Sequence, residues 1–340
     1  MRIGVIAPRT SWLAGRVLAH LESVLPGMTR HMDLSLTEAR IALDGDGVMH
    51  DGLDLAGLER VWVHGFSYDN PVIPQGGEHT DWSVWQYDHL CRQQEFSTLF
   101  SLLRELERRG VSVWNGVGVH VDHFMKFALL ERIRAAGYPV PALMALNDPK
   151  EAAAFGEGKE RLVWRPATGR AAWQLFGARQ ARDRVDPRKP PVLLAEVMPG
   201  ALTRGVIIGG RLMGCIQCQA PAFLPPDESL ERVWTLPVEP YRRVVEALAR
   251  TIGLQWGMVV FTVGDAGHWF YDIDPDPHLE WLPMGLRETL SRMLAHALIG
   301  TEEHGSPLAN DAPEAMERAA PFARRLLNAL FEMENSKYVA

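Results

Sequence analysis

The 340-residue sequence predicts an α/β chain of α+β type, with a parallel α/β domain at its start and antiparallel hairpins after it. Three observations carry that expectation. Residues 2–7 are a short apolar run, followed by a Pro-Arg-Thr-Ser loop and a helical pattern over 12–24, the usual opening of a layered α/β domain. From residue 191 the chain becomes a succession of strand-like runs, VLLAEVMP, TRGVIIGG and RLMGCIQCQ. A later apolar strand ends in three alternating acids, Asp272, Asp274 and Asp276, stopped by Pro275 and Pro277.

After the opening strand and helix, further strands are expected at 60–64 (RVWVH) and 111–115 (VSVWN), the second preceded by an amphipathic helix around 94–109. Strands that alternate with helices favour a parallel sheet. The stretch FSYDNPVIPQGGEHTDWSVWQYDHL is too long and too rich in Gly, Pro, Trp and His to be a simple connector. Its Trp82, Trp85 and Tyr87, with His79 and His89, can line a substrate pocket or pack as a satellite cluster under the loop.

Residues 120–136 read as one helix ended by Gly137, YPVPALMAL starts a new strand, and 161–166 (RLVWRP) is another. In VIIGGRLMG the central Gly-Gly is a strong hairpin signal, because the tight turns that match strand twist need positive φ. A helix at 239–252, a hairpin of 256–263 and 269–274 around GDAG, and helices at 286–298 and 313–334 complete the order. The last has proline in its first turn, where a missing N–H costs nothing. The expected domains are 1–118, 119–190 and 191–340.

A hydrophobic fraction of 47% against 23% charged residues excludes the disordered and fibrous classes. The net charge of −7 argues against a general nucleic-acid binder, which needs a basic surface to displace counterions. Arg161, Arg165, Arg170, Arg179, Arg182, Arg184, Arg188 and Lys189 nevertheless make 161–189 basic enough for a local anion site. No apolar run reaches the ~18 residues needed to cross a bilayer. The N-terminus also lacks signal-peptide architecture, so the expected location is cytoplasmic, with no membrane partner. The CxxC of Cys215 and Cys218 lies in an apolar run without further ligands, so these and Cys91 are expected to be buried, reduced thiols.

Alternate strand residues share a face, so Asp272, Asp274 and Asp276 would converge. A hard cation such as Mg²⁺ is held by one or two carboxylates together with substrate phosphates. The run reads equally as a solvated acidic turn. His120 and His123, three apart on one helical face, suit a metal site with His79 or His89, or plain surface or pocket histidines. No GxxxxGK[ST], GxGxxG or serine nucleophile elbow occurs, which removes the P-loop and dinucleotide-binding readings.

WNGVGVHVDHFMKFALLERIRAAGYPVPAL, VWRPATG, LLAEVMPGALTRGVIIGGRLMG, and GLQWGMVVFTV with YDIDPDPHL follow one another in an order and spacing that resembles the ATP-grasp superfamily, most of all its RimK-type peptide and amino-acid ligases. The resemblance covers residues 111–285, and the first hundred residues fit that superfamily's preceding domain. It implies an ATP-grasp fold behind an N-terminal parallel α/β pre-ATP-grasp domain. It also implies a ligase that activates a carboxylate with ATP as an acylphosphate for attack by an amine of a peptide or small metabolite.

On that resemblance Lys126 and Arg165 bind the nucleotide phosphates, with Arg165 standing where the family usually has lysine. Glu196, Val197 and Met198 form the linker whose backbone faces adenine, and Arg204 contacts the transferred phosphoryl group. Arg165 and Arg204 would carry catalysis, while Asp272 and Asp274, with Asp276 as an additional carboxylate, would hold Mg²⁺. ATP and Mg²⁺ are the implied cofactors, and a homodimer or a biosynthetic partner protein fits the same picture. The chain departs from the pattern near Leu202, where an acid would bind ribose, near Val259, where an aspartate would supply another metal ligand, at Gln217 and Cys218, and in ATGRAA, whose only glycine is Gly169. These departures leave open a degenerate ATP-grasp protein that acts as a non-catalytic binding or scaffold subunit.

Overall fold

A strand of four apolar residues fully buried on both faces, β1 (Ile3–Ile6), needs cover on each side, and the chain supplies it with helices. The computed structural model describes residues 1–33, 41–43, 47–51, 53–65, 82–167, 173–218, 233–265, 267–301 and 308. These fall into two units, one of residues 1–117 and 288–301, the other of 118–287 and 308.

In the first unit, α1 (Trp12–Val24) starts where Ser11 accepts the Ala14 amide at 3.1 Å, and it turns Leu13, Ala14, Val17 and Leu21 inward. Then come β2 (Thr29–Met32) and a small antiparallel sheet of β3 (Ile41–Leu43), β4 (Val48–His50) and β5 (Leu53–Asp54). With β6 (Arg60–Val63), α2 (Trp82–Arg108) and β7 (Ser112–Trp114), the main sheet has the order β2-β1-β6-β7, all parallel. The helix expected at 94–109 begins at Trp82, because no Gly or Pro interrupts the sequence from there to Arg108. Residues 66–81, with His79, lie outside the described residues.

The second unit, from Gly118, takes in the rest of α3 (Val117–Phe124) and then α4 (Lys126–Ala135), where one helix over 120–136 was expected. The break is at Met125, with φ −91 and ψ 63, and it places Lys126 in the first turn of α4. Then follow β8 (Leu143–Leu146), α5 (Pro149–Gly156), β9 (Arg161–Pro166), β10 (Gln174–Gly177), a 3-10 segment Ala178–Arg184, and β11 (Val192–Glu196). These strands form an antiparallel sheet of order β10-β9-β11-β8.

The third series is β12 (Ala201–Ile208), β13 (Arg211–Cys218), β14 (Val233–Leu236), α6 (Glu239–Ile252), β15 (Trp256–Gly264), β16 (Gly267–Asp274) and α7 (Met284–Ile299). Its strands make an antiparallel sheet of order β14-β13-β12-β15-β16. The β12–β13 turn carries Gly209 at φ 61 and Gly210 at φ 73, the positive pair that the Gly-Gly signal demands. α6 ends at Gly253 (φ 80) and buries Val245, Leu248, Ala249 and Ile252. One core joins these residues to Ile207, Val259 and Phe261 of this sheet and to Val163 and Leu193 of the other.

The helix expected at 286–298 was grouped with the C-terminal domain, but from Glu288 it belongs to the first unit. Arg16 pairs with Glu288 at 2.9 Å, and Arg60 donates to the Ala297 carbonyl at 2.9 Å. The helix expected at 313–334 lies outside the described residues. Among the described residues no helix is long and apolar enough to cross a membrane.

Candidate functional site

Cross-strand pairing puts Arg204 of β12 opposite Val260 of β15, and Val260 opposite Asp272 of β16. The next row on the same face is Val206, Met258 and Asp274. Between Asp272 and Phe270 the register breaks: Val260 pairs with Asp272 but Phe261 pairs with Phe270, so Tyr271 is an extra residue in a β-bulge. A bulge re-aims side chains that strict alternation would send to opposite faces. Here the neighbours Tyr271 and Asp272 both reach the four-stranded sheet.

Asp272 meets two cations. Its Oδ1 accepts from Lys126 Nζ and from the Ile273 amide at 2.7 Å, and its Oδ2 accepts from Arg165 Nη1 at 2.6 Å. The Lys126 and Arg165 side chains are each 1% exposed, Asp272 15%. Lys126 comes from the first turn of α4 and Arg165 from β9, where its strand pairs with Leu193 of β11. Lys126 Nζ also donates to the Ile273 carbonyl at 3.0 Å and lies 2.7 Å from His123 Nδ1.

The electrostatics follow from this crowding. Burial pushes the Lys126 ammonium down to about 8, with Asp272 opposing and Arg165 adding to the shift. Burial alone would raise Asp272, but the charges of Lys126 and Arg165 outweigh it and hold the carboxyl well below the usual range. Burial, with the charge of Lys126, holds His123 at about 4. At neutral pH the cluster is therefore a charged ammonium, guanidinium and carboxylate beside a neutral imidazole.

Tyr271 makes the second set of contacts. Its hydroxyl donates to the Glu196 carbonyl at 2.9 Å and accepts from the Met198 amide at 2.7 Å. Buried Trp173 packs edge-on to Tyr271 at 6.4 Å and under the Arg165 guanidinium at 5.5 Å, so it ties the two contacts together.

The predicted residues divide accordingly. Lys126, Arg165 and Asp272 come together, and the linker Glu196 to Met198 is met by the adjoining Tyr271. Arg204 is two strands from Asp272, roughly 10 Å at ordinary strand spacing, with its guanidinium 5.1 Å from the Trp281 ring. Val197 contributes its side chain to the core.

Asp272, Asp274 and Asp276 do not converge as a trio: among the described residues no group of three or more His, Cys, Asp and Glu side chains comes together. The reason is local. Asp272 spends both oxygens on cations, Asp274 accepts the Asp276 amide at 3.0 Å in a turn, and Asp276 is 1% exposed beyond the end of β16. Tested against the cofactors that the resemblance implies, Lys126 and Arg165 suit phosphate oxygens, while the three carboxylates as arranged make no three-ligand magnesium site. Val259, the expected place of a lost ligand, points into the core; Met258 and Val260 face the acids, and both are apolar.

Other expectations resolve as follows. His123 places its Nδ1 2.9 Å from the Ile273 carbonyl and 2.7 Å from Lys126 Nζ, and of the histidines expected beside it His79 lies outside the described residues. Among the described side chains of the basic stretch, Arg161, Arg179 and Arg182 are exposed, Arg188 pairs with Asp186 at 3.0 Å, and Arg165 turns inward. Tyr87, 68% exposed on α2, neither packs in a cluster nor belongs to a loop. Cys215 is buried, and burial raises its thiol to about 12, but Cys91 is only half-buried.

Sequence reasoning missed Tyr271 and Trp173. The signal for Tyr271 was present, since FYDID places a tyrosine next to the first acid; the bulge that turns it toward the linker is a property of pairing and leaves no mark in the sequence.

No family model and no curated protein matches the chain. Solved structures do. The structure of the ATP-grasp ligase PsnB complexed with a phosphomimetic variant of its minimal precursor, Mg and ADP aligns at a TM-score of 0.71 and 19% identity, over 88% of this chain and 97% of that one. The macrocyclase MdnC from Microcystis aeruginosa, bound with its precursor peptide MdnA, gives 0.66 and 14% over 88% and 100%. A RimK domain ATP-grasp protein from Sphaerobacter thermophilus gives 0.57 and 16% over 88% and 100%.

Proposed function

We propose that this chain, which has the ATP-grasp fold, is an ATP-dependent ligase that joins a carboxylate to an amine on a peptide. The observation that carries the reading is the convergence of Lys126 and Arg165, from separate elements, on one buried anionic position inside that fold. The precursor peptides bound by PsnB and MdnC support a peptide as the substrate class. ATP, when bound, would supply the phosphoryl group that activates the carboxylate.

The chain's own residues bind and orient. Lys126 and Arg165 are desolvated cations, worth more to a phosphate than the same groups in water. Arg204, held against Trp281 on the same sheet face, offers a third guanidinium that can bind an anion with two parallel hydrogen bonds. The Glu196 carbonyl and Met198 amide form a donor–acceptor pair suited to a base edge.

The test offers ATP, Mg²⁺ and hydroxylamine to the protein with peptides that contain aspartate or glutamate. Peptide-dependent ADP release with hydroxamate formation is expected, and Arg204→Ala should lower its rate on the order of a hundredfold. ADP release no faster with peptide than without it overturns the reading.

A second reading, a binding or scaffold subunit without catalysis, is favoured by one observation. Met258 and Val260 present no oxygen ligand beside Asp272 and Asp274. Nucleotide binding without turnover of any peptide offered would select it.

A further inference from the structure

Tyr271 and Asp272 are consecutive residues, yet each satisfies a group that the nucleotide reading needs. The phenolic hydroxyl both donates and accepts, and it uses the two functions on the Glu196 carbonyl and the Met198 amide, as the edge of a base would. The carboxylate places one oxygen on Lys126 and the other on Arg165, as a phosphate would. The bulge at Tyr271 is what lets one short segment reach both positions. Trp173 bridges the two, and the Lys126 and Arg165 side chains are nearly free of solvent contact.

We infer that the Tyr271-Asp272 bulge is an internal stand-in for the nucleotide, which completes the contacts of the linker backbone and of the two cations in the resting protein and which a nucleotide must displace to bind. This rests on the nucleotide reading above, though not on catalysis. It changes the role of Asp272 from metal ligand to competitor. A carboxylate that competes with phosphate for the same two cations weakens nucleotide binding, whereas a magnesium ligand strengthens it. The two roles therefore predict opposite signs for one substitution.

The experiment titrates ADP into wild type and Asp272→Asn, once in EDTA and once with Mg²⁺. Asparagine keeps the shape and removes the charge, so ADP affinity in EDTA should rise roughly tenfold. Unchanged affinity, or an Mg²⁺-dependent loss on substitution, overturns the inference.

Tyr271→Phe is the second arm, and it covers the case in which Asp272→Asn fails to fold. Hydrogen exchange at the Met198 amide should speed up on the order of fivefold to tenfold without any nucleotide, and ADP should bind tighter and restore protection. An unchanged Met198 amide, or weaker ADP binding, overturns the inference. Neither arm reads ADP release, so failure of the ligase reading and failure of this one remain distinct.

Discussion

Asp272→Ala is the perturbation whose cost the structure fixes best. Among the described residues it removes the carboxylate that accepts from both Lys126 and Arg165, whose side chains are each 1% exposed. Breaking a buried ion pair by deleting one partner costs about 3–5 kcal/mol, because the surviving charge is left uncompensated. Arg165 disfavours the charged form of its neighbour Lys126, which adds to the cost of losing the carboxylate between them. Against a stability of about 5–15 kcal/mol, such a loss is severe.

The assay is urea unfolding followed by tryptophan fluorescence, reading the transition of the unit that contains residues 118–287. At a slope of roughly 2–3 kcal/mol/M, the midpoint should fall by about 1–2 M with the slope unchanged. The triple variant Lys126→Met, Arg165→Met, Asp272→Leu should regain most of the loss, since an apolar replacement of the whole cluster removes the desolvation penalty. A loss under about 1 kcal/mol for Asp272→Ala would refute the reasoning, because only a solvated carboxylate is that cheap to remove.

Three further outcomes are expected. His123 sits at about 4 when folded against an ordinary 6.5, so between those values the unfolded chain binds more protons. Its contribution is complete above pH 6.5 and falls by roughly 3 kcal/mol as pH drops toward 4. Urea midpoints of His123→Gln should depend less on pH than those of wild type across that window, and equal slopes would contradict the assignment. Leu248→Ala removes a fully buried side chain of α6 from the core and should cost about 2–5 kcal/mol by the same unfolding measurement. Gly200 has φ 125, and an added Cβ would lie 2.5 Å from the Val263 carbonyl, so Gly200→Ala should lower stability by about 1–3 kcal/mol.

Much of the fold was legible because its signals are local. Helix 12–24, strand 161–166 and helix 239–252 coincide with α1, β9 and α6, since a cap, a short apolar run and an amphipathic repeat are written in consecutive residues. β2 is among the strands that were missed, with β3, β4, β5, β10 and β14: its TRHM sequence, with two exposed residues, carries no apolar run, and it forms because β1 offers free backbone groups. The break at Met125 was invisible, as neither Gly nor Pro marks it.

The site was legible in part for the same reason. Lys126, Arg165 and Asp272 could be named from their motifs, but their sequence positions do not reveal that they are partners of one another. Alternation predicted three converging acids, and the turn after Asp274 sends Asp276 elsewhere. Tyr271 was passed over because, without the bulge, a residue beside Asp272 faces away from it.

A crystal structure of the protein with ADP and Mg²⁺ would show directly which groups the nucleotide meets. The expected result is a phosphate against Lys126 and Arg165, the base edge at the Glu196 carbonyl and Met198 amide, and the Tyr271 and Asp272 side chains displaced from these groups. Nucleotide bound while Asp272 still bridges the two cations, or Asp272 and Asp274 together on a magnesium ion, would contradict it.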